Sequence, residues 1–142
     1  MLTKQPFKIF SQHERGLAAL ALASTEDGRA RRKLLARARS DATTLQREGT
    51  RWSRAMALPL TASLAAERGD RQSALDDALQ AERAFVESAM RLYAGTMRIR
   101  RGEYTEGAEG ERLIREGRHA LRDLGVAAPD RLADMLQPPL RW

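Results

Sequence analysis

The chain has no cysteine among its 142 residues, which excludes a disulfide framework and any thiolate metal site and makes a reducing compartment its natural setting. Aromatic residues are also scarce, at 5% of the total, leaving few rings on which nucleic-acid bases could stack. No apolar run approaches the roughly 18 residues that a membrane span needs. Residues 1–20 lack the ordered charge, apolar core and small-residue cleavage site of a secretory signal. The expected location is therefore the cytoplasm, away from membranes. Lysine is nearly missing: 3 of the 25 basic residues are Lys, a bias spread over the whole chain that fits a GC-rich coding sequence better than a local role. Histidine contributes only His13 and His119, more than a hundred positions apart and without a partner at i+3 or i+4. No metal site or general base is expected there, and both are read as surface residues.

What is present is charge and helix-forming residues. The net charge of +6 is unevenly distributed: residues 1–71 hold 14 Lys/Arg against 7 Asp/Glu, whereas residues 72–142 hold 11 against 12. The basic excess belongs to the first half, above all to Arg29, Arg31, Arg32, Lys33, Arg37 and Arg39. Such a run could bind phosphates with strongly salt-dependent affinity. At 100° per residue, however, these side chains wrap around the apolar line Ala30, Leu34, Ala38, which is how an ordinary solvated helix looks.

Read in order, the chain divides into helices separated by turn signals. Pro6 is expected to stop a helix from running through residues 1–10, an irregular lead-in whose Phe7, Ile9 and Phe10 need a docking place. Ser11 with Glu14 reads as a capping box opening a helix from Gln12 to about Ser24. A second helix follows the turn at residues 24–28 and continues to about Glu48. Thr50 caps a third that carries Trp52, Met56, Leu60 and Leu64, with Pro59 bending rather than ending it. Gly69 and Asp70 form the clearest turn, a left-handed glycine followed by a capping carboxylate. Beyond it, Ala74, Ala78 and Ala81 at i, i+4 and i+7 give the fourth helix, Arg71 to about Met90, a narrow face for close packing. A fifth helix over about Arg91–Arg101 is expected to end at Gly102. A sixth spans about Glu106–Leu124 and stops at Gly125, and Pro129 opens a one- to two-turn helix lying as a lid over the last hairpin.

Gly102, Gly107 and Gly110 do not read as a phosphate loop, because Glu103, Glu106 and Glu109 would repel phosphate and no Lys-Ser/Thr follows. They are read as turn and loop glycines. The acidic group Glu103, Glu106, Glu109, Glu111 lacks the alternating oxygen ligands of a calcium loop.

Aligning Gly69-Asp70 with Gly102-Glu103 gives a spacing of 33, close to the roughly 34 of a tetratricopeptide unit. Ala94-Gly95 and Tyr104 fall where that motif places its small pair and its aromatic, although Arg71 and Gly107 depart from it. A more specific resemblance runs through Arg37-Ala38-Arg39-Ser40-Asp41, Leu45 to Gly49, Trp52 to Ala57, the Ala65 to Ala74 turn, Gly110 to Ile114, Leu124-Gly125-Val126 and Pro129 to Pro138. Together, over about residues 12–139, these look like the C-terminal tetratricopeptide-like repeat region of large bacterial, myxobacterial-type serine/threonine protein kinases that also carry an ATPase module. The resemblance implies a regulatory, protein-binding segment of a signalling protein. The glycine-rich phosphate loop, His-Arg-Asp loop and Asp-Phe-Gly of such kinases are absent from this stretch, so no phosphoryl transfer by the chain itself is expected.

The expected architecture is all-α, with antiparallel helical hairpins stacked as a short tetratricopeptide-like α-solenoid. Residues 1–10 form the lead-in, 11–125 three hairpins, and 126–142 a capping helix with a Pro-rich tail. The family register places Gln12, Arg15, Ala19, Met56, Pro59, Ser63, Leu92, Thr96, Ile99 and Arg100 on a concave face. Of these, Gln12, Arg15, Met56, Pro59, Ser63, Leu92, Thr96 and Arg100 are the candidate protein-binding residues. No catalytic, cofactor or metal site is expected. The expected partner is a protein or peptide, or the remainder of a larger signalling protein against which so short a groove would pack. Trp52 and Trp142 are possible anchors for self-association, and the oligomeric state is left open. Nucleic acid is disfavoured as a partner; the alternative is a nucleic-acid-binding helical protein using residues 29–39.

Overall fold

A computed structural model describes residues 4–139, and within them every regular element is a helix. The order is α1 (Lys4–Ala23), α2 (Gly28–Arg47), α3 (Arg51–Glu67), α4 (Arg71–Glu87), α5 (Arg91–Tyr104), α6 (Gly107–Asp123) and α7 (Pro129–Leu136). The first six pair as the hairpins α1/α2, α3/α4 and α5/α6, which stack through α2 on α3 and α4 on α5; α7 lies over α5 and α6. This is the expected all-α stack of hairpins.

The hydrophobic core follows the stack and is centred on α3, which has eleven of its seventeen residues buried. Ala55, Met56 and Ala57, then Ala62 through Ala66, are consecutive buried positions, so α3 is covered on every side instead of along one stripe. It runs unbroken through Pro59, and Thr50 caps it by accepting from the Ser53 amide at 3.1 Å. Ala74, Ala78 and Ala81 of α4 are fully buried, as their spacing predicts.

Several boundaries differ from the sequence expectation. The lead-in is helical from Lys4, because Pro6 occupies the first turn, where its missing amide has no intrahelical acceptor to lose. Ser11 lies inside α1 and caps nothing. Ile9 is buried in the main core, Phe10 leans on Trp52 with ring centroids 5.3 Å apart, and Phe7 stays exposed. Trp52 is thus half-buried under Phe10, and Trp142 lies outside the described residues.

The larger correction concerns Gly102. Helix α5 runs past it to the buried Tyr104, and the turn falls at Thr105-Glu106, before the left-handed Gly107 (φ +71). The turn glycines Gly69 and Gly107 are therefore 38 positions apart, and the 33-residue register taken from Gly102 does not describe the fold. Gly102 and Gly110 are packing residues. A Cβ on Gly102 would come within 2.7 Å of the Gly110 carbonyl oxygen, and one on Gly110 within 2.6 Å of the Gly102 carbonyl oxygen and 2.0 Å of that of Thr105. One helical repeat away, a Cβ on Gly117 would come within 2.9 Å of the Gly95 carbonyl oxygen. Two glycines seven apart on α5 thus face two seven apart on α6, bringing the backbones into direct contact.

Helix α4 ends earlier than expected, at a turn with no glycine. Ala89 takes φ +57; its amide donates to the Val86 carbonyl at 3.1 Å and that of Met90 to the Phe85 carbonyl at 2.8 Å. Gly69 and Gly125 close α3 and α6 with the same pair of bonds, Gly69 to Ala66 and Asp70 to Ala65, Gly125 to Arg122 and Val126 to Leu121. The left-handed conformation costs a residue with a Cβ roughly 1–2 kcal/mol. Ala89→Gly is therefore expected to stabilise the fold by about 1 kcal/mol in urea unfolding. Gly110→Ala is expected to destabilise it by about 1–3 kcal/mol, despite the better helix propensity of alanine. A neutral Ala89→Gly would show that the turn is not held as described.

Candidate functional site

Helices α3 and α5 are antiparallel neighbours of a common partner, α4, and between them lies a small polar pocket filled by the chain itself. Gln137 follows α7 with extended backbone (φ −151, ψ 97) and is 1% exposed. Its side-chain amide donates to the Pro59 carbonyl at 3.0 Å and to Ser63 Oγ at 2.6 Å, both on α3. Its own carbonyl accepts from Arg100 Nε of α5 at 2.8 Å. Arg100, itself 2% exposed, also reaches Asp134 of α7 at 2.7 Å and Glu103 at 2.7 and 2.9 Å. A buried guanidinium is tolerated because each face of its fork meets an acceptor. Tyr104 lies at the same place, close to Ser63, and burial pushes its hydroxyl pKa well above the ordinary value.

Of the eight candidate binding residues, the structure thus gathers Pro59, Ser63 and Arg100 around Gln137. Met56 is wholly core, and Thr96 is buried with no hydrogen-bond partner for its hydroxyl among the described residues. Gln12 and Arg15 turn the other way, onto the buried carboxylate of Asp41 in α2; Gln12 donates at 2.9 Å and Arg15 forms a close ion pair. Leu92 is exposed. The expected open concave face is not formed: α3 is wrapped too closely by its neighbours, and five of the eight residues are buried. Gln137, which anchors the cluster, carries no sequence signal beyond its place after a short helix. Its partners on α3 lie more than seventy positions away, and Arg100 lies 37 away.

The other candidate groups are placed as follows. Arg29, Arg32, Lys33, Arg37 and Arg39 are exposed along α2, while Arg31 pairs with Glu67 of α3. Ala30 is exposed, Leu34 is half-buried against the core, and the apolar line of α2 is fully buried from Ala38. Glu109 and Glu116 pair with Arg112, and Glu106 with Arg71, across the surface. No group of three or more His, Asp or Glu that could hold a metal ion occurs among the described residues. No described helix is long and apolar enough to cross a membrane.

His13 is not the surface residue expected. It is fully buried between α1 and α3, with Nδ1 2.8 Å from the Met56 carbonyl oxygen and Nε2 without a partner among the described residues. The carbonyl can only accept, so Nδ1 carries the proton and the ring is neutral. Burial lowers its pKa from 6.5 to about 4, against the smaller opposing effect of the Met56 bond. Below pH 6.5 the unfolded chain takes up a proton that the folded chain refuses, so stability falls as pH falls. The expected loss is about 2–3 kcal/mol between pH 6.5 and 4.5. Asp70 and Glu109, whose pKa values are held low by hydrogen bonds from Ser73 and Arg112, add their losses only at still lower pH. Urea midpoints across this window should be steep for the native chain and nearly flat for His13→Gln; equal slopes would contradict the assignment. No protein-family model, no curated protein and no solved structure matches this chain.

Proposed function

We propose that this chain is a helical-repeat protein-interaction module, non-catalytic by itself, that holds an extended peptide where α3 and α5 meet. The observation that carries this reading is the seat around Arg100, Ser63 and the Pro59 carbonyl. It already grips one residue of extended backbone, Gln137, by its main-chain carbonyl and its side-chain amide. Those are the two handles, main-chain and side-chain, by which grooves generally recognise peptides. The stacked hairpins supply a rigid frame for such a seat.

The resemblance of residues 12–139 to the repeat region of bacterial serine/threonine kinases supports a finer reading: a tetratricopeptide-like regulatory part, or associate, of a kinase-linked signalling protein in the cytoplasm. The 38-residue spacing between Gly69 and Gly107 departs from the tetratricopeptide period, so this finer reading rests on the resembling segments and not on the repeat length.

A second reading is favoured by one observation, the exposed cations Arg29, Arg32, Lys33, Arg37 and Arg39 on α2. These would give non-specific affinity for nucleic acid. Duplex DNA titrated with the full chain at rising salt separates the two readings. Binding negligible near physiological ionic strength, together with capture of extended peptides from a synthetic array that weakens at least tenfold in Arg100→Ala, is the expected result. A salt slope equivalent to several released counterions, with no peptide captured, would replace the first reading by the second.

A further inference from the structure

We infer that residues Asp134–Gln137 act as an internal ligand of this seat, and that the partner peptide is one presenting an acidic residue three positions before a glutamine. The inference rests on the peptide-binding reading and names both the partner's chemistry and the regulation of the site.

The argument begins with what the internal segment offers. Asp134, in the last turn of α7, and Gln137, its extended C-cap, are three apart, and both the carboxylate and the carboxamide reach the seat. Arg100 takes the Asp134 carboxylate through Nη2 and the main-chain carbonyl of residue 137 through Nε, each in a bond shorter than 3 Å, so of the two side chains it reads the acid. Ser63 and the Pro59 carbonyl then read the glutamine amide as a donor. An acid in place of glutamine would have no hydrogen to give the Pro59 carbonyl. A residue shorter by one methylene would not span from the strap to α3. The seat therefore specifies Asp/Glu-x-x-Gln.

The same contacts show why the strap is displaceable. Its hold is polar at the end that enters the seat: Asp134 is 56% exposed, Glu103 36%, and Gln137 Oε1 is buried without a hydrogen-bond partner among the described residues. Met135, between the two reading positions, is 74% exposed and contributes little to the core. The apolar anchorage of α7 lies in a satellite cluster of Ala133 and Leu132 with Ile99, Leu121 and Val126, together with the buried Pro129 at its start and the half-buried Leu136 at its end. Tethering keeps the strap at a high effective concentration beside its seat, so a partner segment of the same chemistry competes only when the tethered copy is weakened or the partner is abundant.

The test uses the full chain and a fluorescent synthetic peptide with the sequence of residues 129–139. The Gln137→Ala chain, with helix content checked by circular dichroism, should bind the peptide at least tenfold more tightly than the native chain does. Asp134→Ala, whose side chain is half exposed and leaves no core cavity, should shift affinity the same way. The gain should vanish when the peptide itself carries alanine at its glutamine position, or when Arg100→Ala is added to the opened chain. Equal affinity of the native and opened chains, or binding indifferent to the peptide's glutamine, would overturn the inference. A pool of unrelated extended peptides separates this failure from failure of the underlying reading. If the pool binds native and opened chains equally, only the internal-ligand inference falls; if no peptide binds even the opened chain, both fall.

Discussion

The helices of this protein meet through residues with little or no side chain, and the closeness of those contacts governs the rest of the structure. Along α5 and α6, Gly95 and Gly102 face Gly117 and Gly110 so nearly that a single added carbon on Gly102, Gly110 or Gly117 would collide with the opposing backbone, and one on Gly95 with the Leu121 side chain. Gly16 of α1 is pressed against the side chain of Leu60 of α3. On α4 the contact face is alanine. Backbones that approach this far leave no room for slack, so the register of each hairpin is set by where its small residues fall.

A consequence appears at α3. With α1, α2 and α4 all packed on it, and the C-terminal strap reaching its remaining side, it becomes a buried core rod carrying polar groups inward. Ser63 and the second lone pair of the Pro59 carbonyl then need partners, as does the guanidinium of Arg100 on α5. Gln137 and Asp134 supply them from the far end of the chain. The polar seat and the strap that fills it follow from one requirement, that polar groups enclosed by tightly packed helices be satisfied.

Turns were legible where their chemistry is local. Thr50 and Asp70 cap α3 and α4 through the Ser53 and Ser73 amides, and Gly69 and Gly125 close their helices in the left-handed conformation. The same logic missed the end of α4, because Ala89 adopts a positive φ that composition does not announce. It misread Gly102, because a glycine that admits a neighbouring backbone and a glycine that turns the chain are the same letter. Pro6 misled for a similar reason: its effect depends on its distance from a helix start that tertiary packing of Ile9 helps to set.

Of the candidate binding residues, the register named Pro59, Ser63 and Arg100, which surround Gln137 in the structure, but it could not tell an open face from an occupied one. His13 likewise carried no mark of its burial, since its neighbours in space, Met56 and Tyr93, come from other helices. What the sequence determined by itself was the class of fold: helical periodicity, alanine stripes and capped turns are properties of neighbouring residues, and they specify hairpins. Only the tertiary structure decided which glycines are hinges and which are seams, and that the seat between α3 and α5 holds Gln137. Both depend on contacts between residues far apart in the chain, which no local pattern encodes.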